Sequence, residues 1–302
     1  MPELPEVEVI AGELTQLIGG VLLDALVSGK RLRGNLAFER TDGGMEVLKE
    51  QVLRAIGRRG RYLILEFSSS LACLVHLGMS GRLALHKATS TKNTPLTKHE
   101  HIRLVFSNGV LSYFDPRRFG AWELVYNHNQ DAIAHPWLQA LGAEPVAAAQ
   151  FDALSPKVRH FEVPLDPNRL LHFSQKHPKL TLKECLMDNR LVTGIGNIYA
   201  NELLFKAAWH PKQLARYLTL NDWQRLATLI GPLMLQAVHR GGSTIRDYRH
   251  SDGNSGGYQK LFKVYGRAGQ KCYNCSTILQ NTVIKGRSSV YCPVCQQLHE
   301  DT

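Results

Sequence analysis

The chain has 302 residues, 44% hydrophobic and 21% charged, with a formal net charge of +10. That length suggests two domains, each able to bury a core, and the positive balance favours a polyanionic partner. No apolar run reaches the roughly 20 residues of a membrane span. The acidic N-terminus also lacks a signal-peptide apolar region, so a cytoplasmic protein is expected, neither exported nor in a membrane.

The chain opens Pro2-Glu3-Leu4-Pro5-Glu6-Val7-Glu8. If Met1 is removed, Pro2 carries a free secondary amine, and an α-amino group titrates near pH ~8. Such an amine can attack a carbonyl-like carbon and form an iminium, an electron sink. Glu3 and Glu6 lie within one turn of it and are candidate acids. An acidic helix start with proline in its first turn accounts for the same residues without chemistry. Val7, Ile10, Leu14, Leu17 and Ile18 recur at helical spacing until Gly19-Gly20. The pattern predicts a helix over roughly residues 3–18 with one buried stripe.

From residue 21 to about 125 the pattern becomes short apolar runs between turns. Strands are expected at Leu22–Val27, Val52–Ile56, Tyr62–Phe67, Leu71–Val75, Ile102–Phe106 and Val110–Phe114. Ser107-Asn108-Gly109 reads as a hairpin turn. Many short strands with tight turns make a β-sandwich or barrel. Three motifs read as loops. Gly57-Arg58-Arg59-Gly60-Arg61 is basic and suited to phosphate, or is a solvated turn. His76-Leu77-Gly78-Met79-Ser80-Gly81 sets Met79 between glycines, where it can act as an apolar wedge or as core filler. Asp115-Pro116-Arg117-Arg118-Phe119-Gly120 puts two guanidinium groups beside a ring that can stack or wedge.

A linker-like stretch begins at Asn127-His128-Asn129-Gln130 and runs through Pro136, Gly142 and Pro145. Beyond it the period is helical. Phe151 begins one helix, Leu182–Met187 lies in another, and residues 221–239 form a third, closed by Gly241-Gly242. Gly194-Ile195-Gly196-Asn197 precedes a helix start that can face a phosphate. Residues 242–258 are polar and glycine-rich, as suits a mobile lid or a connector. The chain closes on Cys272-Xaa2-Cys275 and Cys292-Xaa2-Cys295. Two such knuckles suit one tetrahedral, closed zinc site. Between them a hairpin is expected with Lys285-Gly286-Arg287 at its tip. Cys73 and Cys185 read as buried free thiols in a reducing compartment.

The N-terminal segment, the Met79 loop, the Arg-Arg-Phe loop, the Met187-Asp188-Asn189-Arg190…Asn197 run and the four-cysteine finger together resemble the formamidopyrimidine-DNA glycosylase family, in family order and over nearly the whole chain. The resemblance implies an α+β multidomain fold: an N-terminal helix on a β-sandwich, a helix–two-turn–helix domain and a four-cysteine zinc finger, with DNA in the cleft. Its segments would be 1–130 (catalytic), 131–150 (linker), 151–260 (helical, with a lesion loop) and 261–302 (finger). It implies a monomer that removes 8-oxoguanine and formamidopyrimidines from double-stranded DNA, acts on abasic sites and cuts the strand by β,δ-elimination. Pro2 would form the Schiff base, Glu3 would donate a proton during sugar-ring opening, and Glu6 would support them. Met79, Arg117 and Phe119 would fill the gap left by the flipped nucleotide. His99, Arg117, Lys183 and Asn197 would contact the backbone, and Arg287 would assist δ-elimination. Cys272, Cys275, Cys292 and Cys295 would hold one structural Zn2+.

The chain departs from the family pattern at Arg61, where lysine is usual before the aromatic residue at 62. A guanidinium keeps the charge but does not readily release a proton, so Arg61 is expected to act as a fixed charge on a phosphate. Two rivals stand beside this reading. An endonuclease VIII-type glycosylase would act on oxidised pyrimidines, but Leu4 stands where that branch tends to have glycine. A non-catalytic zinc DNA-binding protein would not need Pro2 beside Glu3.

Overall fold

The computed structural model describes residues 1–30, 32, 44–87, 94–126, 135–161, 163–243 and 256–299. They fall into two compact units. The first comprises Met1–Gln139, Phe151–Phe161 and Arg240–Gly257, and the second Ala140–Gln150, Glu162–His239 and Tyr258–Thr302. The linker residues Asn127, His128, Asn129 and Gln130, and lid residues 244–255, lie outside the described residues.

In the first unit, helix α1 (Leu4–Leu14) gives way to a tighter 3-10 turn over Thr15–Leu17. The regular helix is therefore shorter than its apolar spacing suggested. Its burial is also wider than one stripe. Leu4, Val7, Ile10, Ala11 and Leu14 are buried, and so are Glu6 and Glu8. Buried carboxylates need internal partners, and these come from distant parts of the chain.

The strands are β1 (Leu22–Val27), β2 (Leu53–Arg59), β3 (Tyr62–Phe67), β4 (Leu71–His76), β5 (Arg82–His86), β6 (Glu100–Phe106), β7 (Gly109–Phe114), β8 (Ala121–Tyr126) and β9 (Val158–His160). One sheet runs β1-β6-β7-β5 and the other β8-β4-β3-β2-β9. Leu104 and Leu111 of the first share a core with Leu65 and Val75 of the second. Phe67 stacks on Phe106 across it at 6.4 Å. The expected β-sandwich is present, and Phe106 pairs with Gly109 across the expected Ser107-Asn108 turn. All its strand pairs are antiparallel except β2 with β9, where Ile56 faces Val158 and Arg58 faces His160.

The Gly57–Arg61 segment is not the flexible basic loop its composition suggested. Gly57, Arg58 and Arg59 finish β2, held by β3 on one side and β9 on the other. Arg58 and Arg59 are buried. Gly60, at φ 56°, turns the chain into β3. Two short helices lie between β8 and β9, α2 (Pro136–Gln139) and α3 (Ala148–Asp152). The helix expected to begin at Phe151 instead ends one residue after it, with the Phe151 ring buried.

The second unit contains α4 (Pro167–Lys176), α5 (Leu182–Leu186), α6 (Asn197–Lys206) and α7 (Leu220–His239). Asp166 caps α4 by accepting the Asn168 N–H at 2.9 Å, and Thr181 with Glu184 forms a capping box on α5. The finger hairpin is β10 (Gln280–Ile284) and β11 (Arg287–Tyr291). Lys285 and Gly286 both have positive φ, as a two-residue type I′ turn requires. The finger is packed onto α6, because Phe205 shares a cluster with Val264, Leu279 and Val290. Asn201 Oδ1 accepts the Val290 N–H at 2.8 Å, and Glu202 accepts the N–H groups of Lys263, Val264 and Tyr265.

Candidate active site and nucleic-acid interface

Pro2 and Glu3 are buried at the start of α1, and Glu6 lies one turn on. Glu6 Oε2 accepts the Glu3 backbone N–H at 2.9 Å. Its Oε1 accepts both the N–H and the hydroxyl of Ser243, at 2.7 and 2.8 Å. One carboxylate thus ties the Pro2-Glu3 backbone to the segment that leads into the lid. Gly242, at φ +71°, lies against it, and a Cβ there would come within 3.0 Å of Glu6 Oε1. Gly257 N–H bonds the Arg240 carbonyl at 2.8 Å. Arg61 is 7% exposed, and its guanidinium reaches the Met1 sulfur at 3.5 Å. The position that departs from the family pattern therefore sits beside the chain start.

Two residues further along α1, Glu8 is buried in a charged cluster. Arg58 Nε bonds Glu8 Oε2, and His160 Nε2 lies 3.0 Å from Glu8 Oε1. His160 Nδ1 faces Asp152 at 2.8 Å. Burial pushes the Glu8 carboxyl up, but the Arg58 charge and the His160 hydrogen bond outweigh it and hold Glu8 at about 2. Arg58 also covers the Phe151 ring at 4.5 Å. The cluster fixes α1, and with it Pro2, to β2 and β9.

Met79 and Phe119 both stand on the surface of their loops. Met79 is 47% exposed and Phe119 38%. Arg117 lies over the Phe119 ring at 4.6 Å. His99 is exposed and has a positive φ of 66°.

In the second unit, Asn197 opens α6 after Gly196, half-buried. A cavity of about 480 Å³ lies between α5 and the finger hairpin, bordered by His177, Arg190, Lys285 and Arg287. Two acids on its wall are already paired, Asp188 with Arg190 at 2.6 Å and Glu184 with Lys285 at 2.9 Å. Arg287 is exposed and begins β11 opposite Ile284, one step past the hairpin tip. Lys183 differs from the expected backbone contact, since it is 1% exposed. Its ammonium donates to the Ser288 carbonyl at 2.9 Å and to Ser289 Oγ at 2.6 Å. A buried ammonium must be hydrogen-bonded, and these bonds fasten the strand that carries Arg287.

The four knuckle cysteines converge, with all sulfurs within 4.8 Å of one another. Cys272 and Cys295 are 4.0 Å apart, Cys275 and Cys292 3.4 Å, and Cys275 and Cys295 3.5 Å. A tetrahedron with zinc–sulfur bonds of about 2.3 Å has edges of about 3.8 Å, so the set fits one structural zinc ion with no open position. Cys73 and Cys185 are buried as expected, and burial pushes both thiols up to about 12.

Comparison with known proteins accounts for this arrangement. Residues 1–122 match the formamidopyrimidine-DNA glycosylase N-terminal domain, 158–249 its H2TH domain, and 269–298 a zinc finger found in FPG and IleRS. The chain is 38% identical over 299 residues to a formamidopyrimidine-DNA glycosylase of Escherichia coli, covering 98% of this chain and 100% of that one. The chain belongs to the formamidopyrimidine-DNA glycosylase family. A relative of the same name in Shewanella amazonensis is 37% identical, over 98% of this chain and 99% of its own. A Lactococcus lactis FPG mutant bound to Fapy-dG-containing DNA superposes with a TM-score of 0.82 at 30% identity, covering 98% of this chain and 100% of that one. The Lactococcus lactis Fpg complex with abasic-site DNA gives 0.79 at 30% identity, covering 98% and 99%.

Sequence reasoning missed three features of this chain: Ser243 on Glu6, His160 on Glu8, and the fastening role of Lys183. Glu8 carried a signal, because a third acid on a helix with a buried stripe demands a partner. Ser243 and Lys183 carried none, since their partners lie 237 and at least 105 residues away.

Proposed function

We propose that Pro2, once Met1 is removed, is the nucleophile of this base-excision repair enzyme. The enzyme is a DNA glycosylase for oxidised purines, 8-oxoguanine and formamidopyrimidines among them, with AP lyase activity. The damaged nucleotide leaves the stack at a cost of a few kcal/mol. Met79, Arg117 and Phe119 occupy the gap. The Pro2 amine attacks the anomeric carbon, and the bond to the base breaks as the carbon–nitrogen bond forms. Glu3 donates a proton as the sugar ring opens, leaving an iminium. This electron sink permits loss of the 3′ phosphate and then the 5′ phosphate, the second helped by Arg287. Arg61, His99, Arg117 and Asn197 hold the strand, and Lys183 acts through the hairpin instead of on the DNA. The sandwich residues 1–130 supply the chemistry, 131–150 link, 151–260 grip DNA and 261–302 present Arg287.

The observation that carries this reading is the buried Glu6 carboxylate, which fixes the Pro2-Glu3 backbone at a helix start in a chain of this family. Among the described residues no helix is long and apolar enough to cross a membrane. The enzyme works in the bacterial cytoplasm, on the nucleoid while it acts.

The test compares two preparations on duplex DNA with one 8-oxoguanine. One has its N-terminal proline verified by mass spectrometry, and the other carries an uncleavable N-terminal extension. The processed form releases the base and cuts the strand, whereas the extended form binds DNA and does neither. Full activity of the extended form would refute the proposal.

A further inference from the structure

The two wedge loops and the His99 turn converge on one buried residue, Asp115. Its Oδ1 accepts the Ser80 hydroxyl at 2.5 Å and the Arg117 N–H at 3.3 Å. Its Oδ2 accepts the Tyr113 hydroxyl at 3.0 Å and the Gly120 N–H at 2.8 Å. Ser80 Oγ in turn accepts the Arg117 N–H at 3.3 Å. The backbone of Asp115 is used as fully. Its N–H donates to the His99 carbonyl at 3.0 Å, and its carbonyl accepts from the Arg118 N–H and from His101 Nε2.

These bonds end one residue from each wedge side chain or on the wedge residue itself. Ser80 follows Met79, Gly120 follows Phe119, and Arg117 is bound directly. A carboxylate is a strong acceptor with about four lone-pair sites, and here three donors from the two loops and the Tyr113 hydroxyl of β7 fill them. Gly78 tightens the same junction. A Cβ there would lie 2.5 Å from the Phe119 carbonyl carbon and oxygen, so the loops touch backbone to backbone. Burial, and then the Asp115 charge, push the Tyr113 phenol up and keep it a donor. Burial lowers His101 and favours the neutral ring, whose Nε2–H serves the Asp115 carbonyl while Nδ1 faces Ser28 Oγ at 3.0 Å.

We propose that Asp115, with Ser80, is the positioning residue that locks Met79, Arg117 and Phe119 into one rigid wedge, so that the gap is filled without first ordering the loops. Asp115 touches no DNA; it acts by removing the ordering cost that each exposed loop would otherwise meet on binding. The proposal rests on the glycosylase reading above.

The test uses full-length Ser80→Ala and Asp115→Asn. Ser80→Ala deletes a single hydroxyl and spares the fold. Asp115→Asn keeps the shape but turns one acceptor into a donor facing donors. Single-turnover excision of 8-oxoguanine is measured in two duplexes, one with cytosine opposite the lesion and one with a tetrahydrofuran gap opposite it. Opposite the tetrahydrofuran there is no base pair to break and no orphaned base to hold, so extrusion there asks least of the wedge. Both variants should slow excision opposite cytosine by about 10–100-fold, the scale set by misplacing a positioning group. They should recover to within about twofold of wild type opposite the gap. Borohydride trapping on a preformed abasic site in that gapped duplex should match wild type. Equal slowing on both duplexes, or wild-type excision by Ser80→Ala and Asp115→Asn opposite cytosine, would overturn the proposal. Wild-type protein that traps no abasic DNA would instead overturn the glycosylase reading itself.

Discussion

Replacing Glu8 by glutamine tests how α1 is held. The Glu8 carboxyl lies at about 2 in the folded chain against an ordinary 4.5. At about 1.4 kcal/mol per pH unit, that difference contributes ~3 kcal/mol to stability near neutral pH. Because the folded value is depressed, the contribution is present above about pH 4.5 and is lost as pH falls toward 2. By about pH 3 some 2 kcal/mol of it is gone. Glu8→Gln also removes the negative charge that Arg58 Nε binds, a loss of roughly 3–5 kcal/mol for a broken buried pair. Urea unfolding of wild type and Glu8→Gln, followed by tryptophan fluorescence, should therefore show a gap of about 3 kcal/mol or more near pH 7. The gap should narrow by about 2 kcal/mol near pH 3. Unfolding free energies that stay parallel across that range would refute the argument, because an uncharged or unpaired Glu8 would give no such convergence.

Cys292→Ala should lose the metal and weaken DNA binding while Pro2 keeps its reactivity toward a small aldehyde, measured by metal analysis and reductive labelling. Lys183→Met frees the Ser288–Ser289 segment, so product gels should show δ-elimination slowed about tenfold with base loss and β-elimination nearly unchanged. Arg61→Ala should flatten the salt dependence of DNA binding by about one counterion. Arg61→Lys should keep affinity and scission rate; a tenfold faster scission would mean that lysine supplies chemistry arginine cannot. Gly242→Ala puts a Cβ against Glu6 at positive φ, which should cost about 1 kcal/mol or more in thermal unfolding and slow base removal.

Much of the fold was legible because its signals are local. The β6–β7 hairpin followed from Ser107-Asn108-Gly109 between apolar runs, and the zinc site from cysteine spacing alone. β5 and β8 escaped notice because each directly follows a glycine-bearing loop. β9 has three residues and is a strand only because β2 lies beside it. The Gly57–Arg61 reading failed for a related reason. Composition gives its charge, but only the pairing of β2 on both sides and the acid of Glu8 explain why that charge is buried. In the site, Met79, Phe119 and Arg117 were visible as apolar and basic residues stranded in loops. Asp115 was visible only as a turn former, because its four donors come together through tertiary contact.

The central claim is that the Pro2 nitrogen bonds to the sugar. The most direct measurement is borohydride reduction of the enzyme with 8-oxoguanine duplex, followed by protease and nuclease digestion and mass spectrometry of the cross-linked peptide. The account predicts a reduced sugar adduct on the N-terminal peptide, fragmenting to Pro2. An adduct on a lysine, or a trapped complex formed equally well by protein that retains Met1, would contradict it.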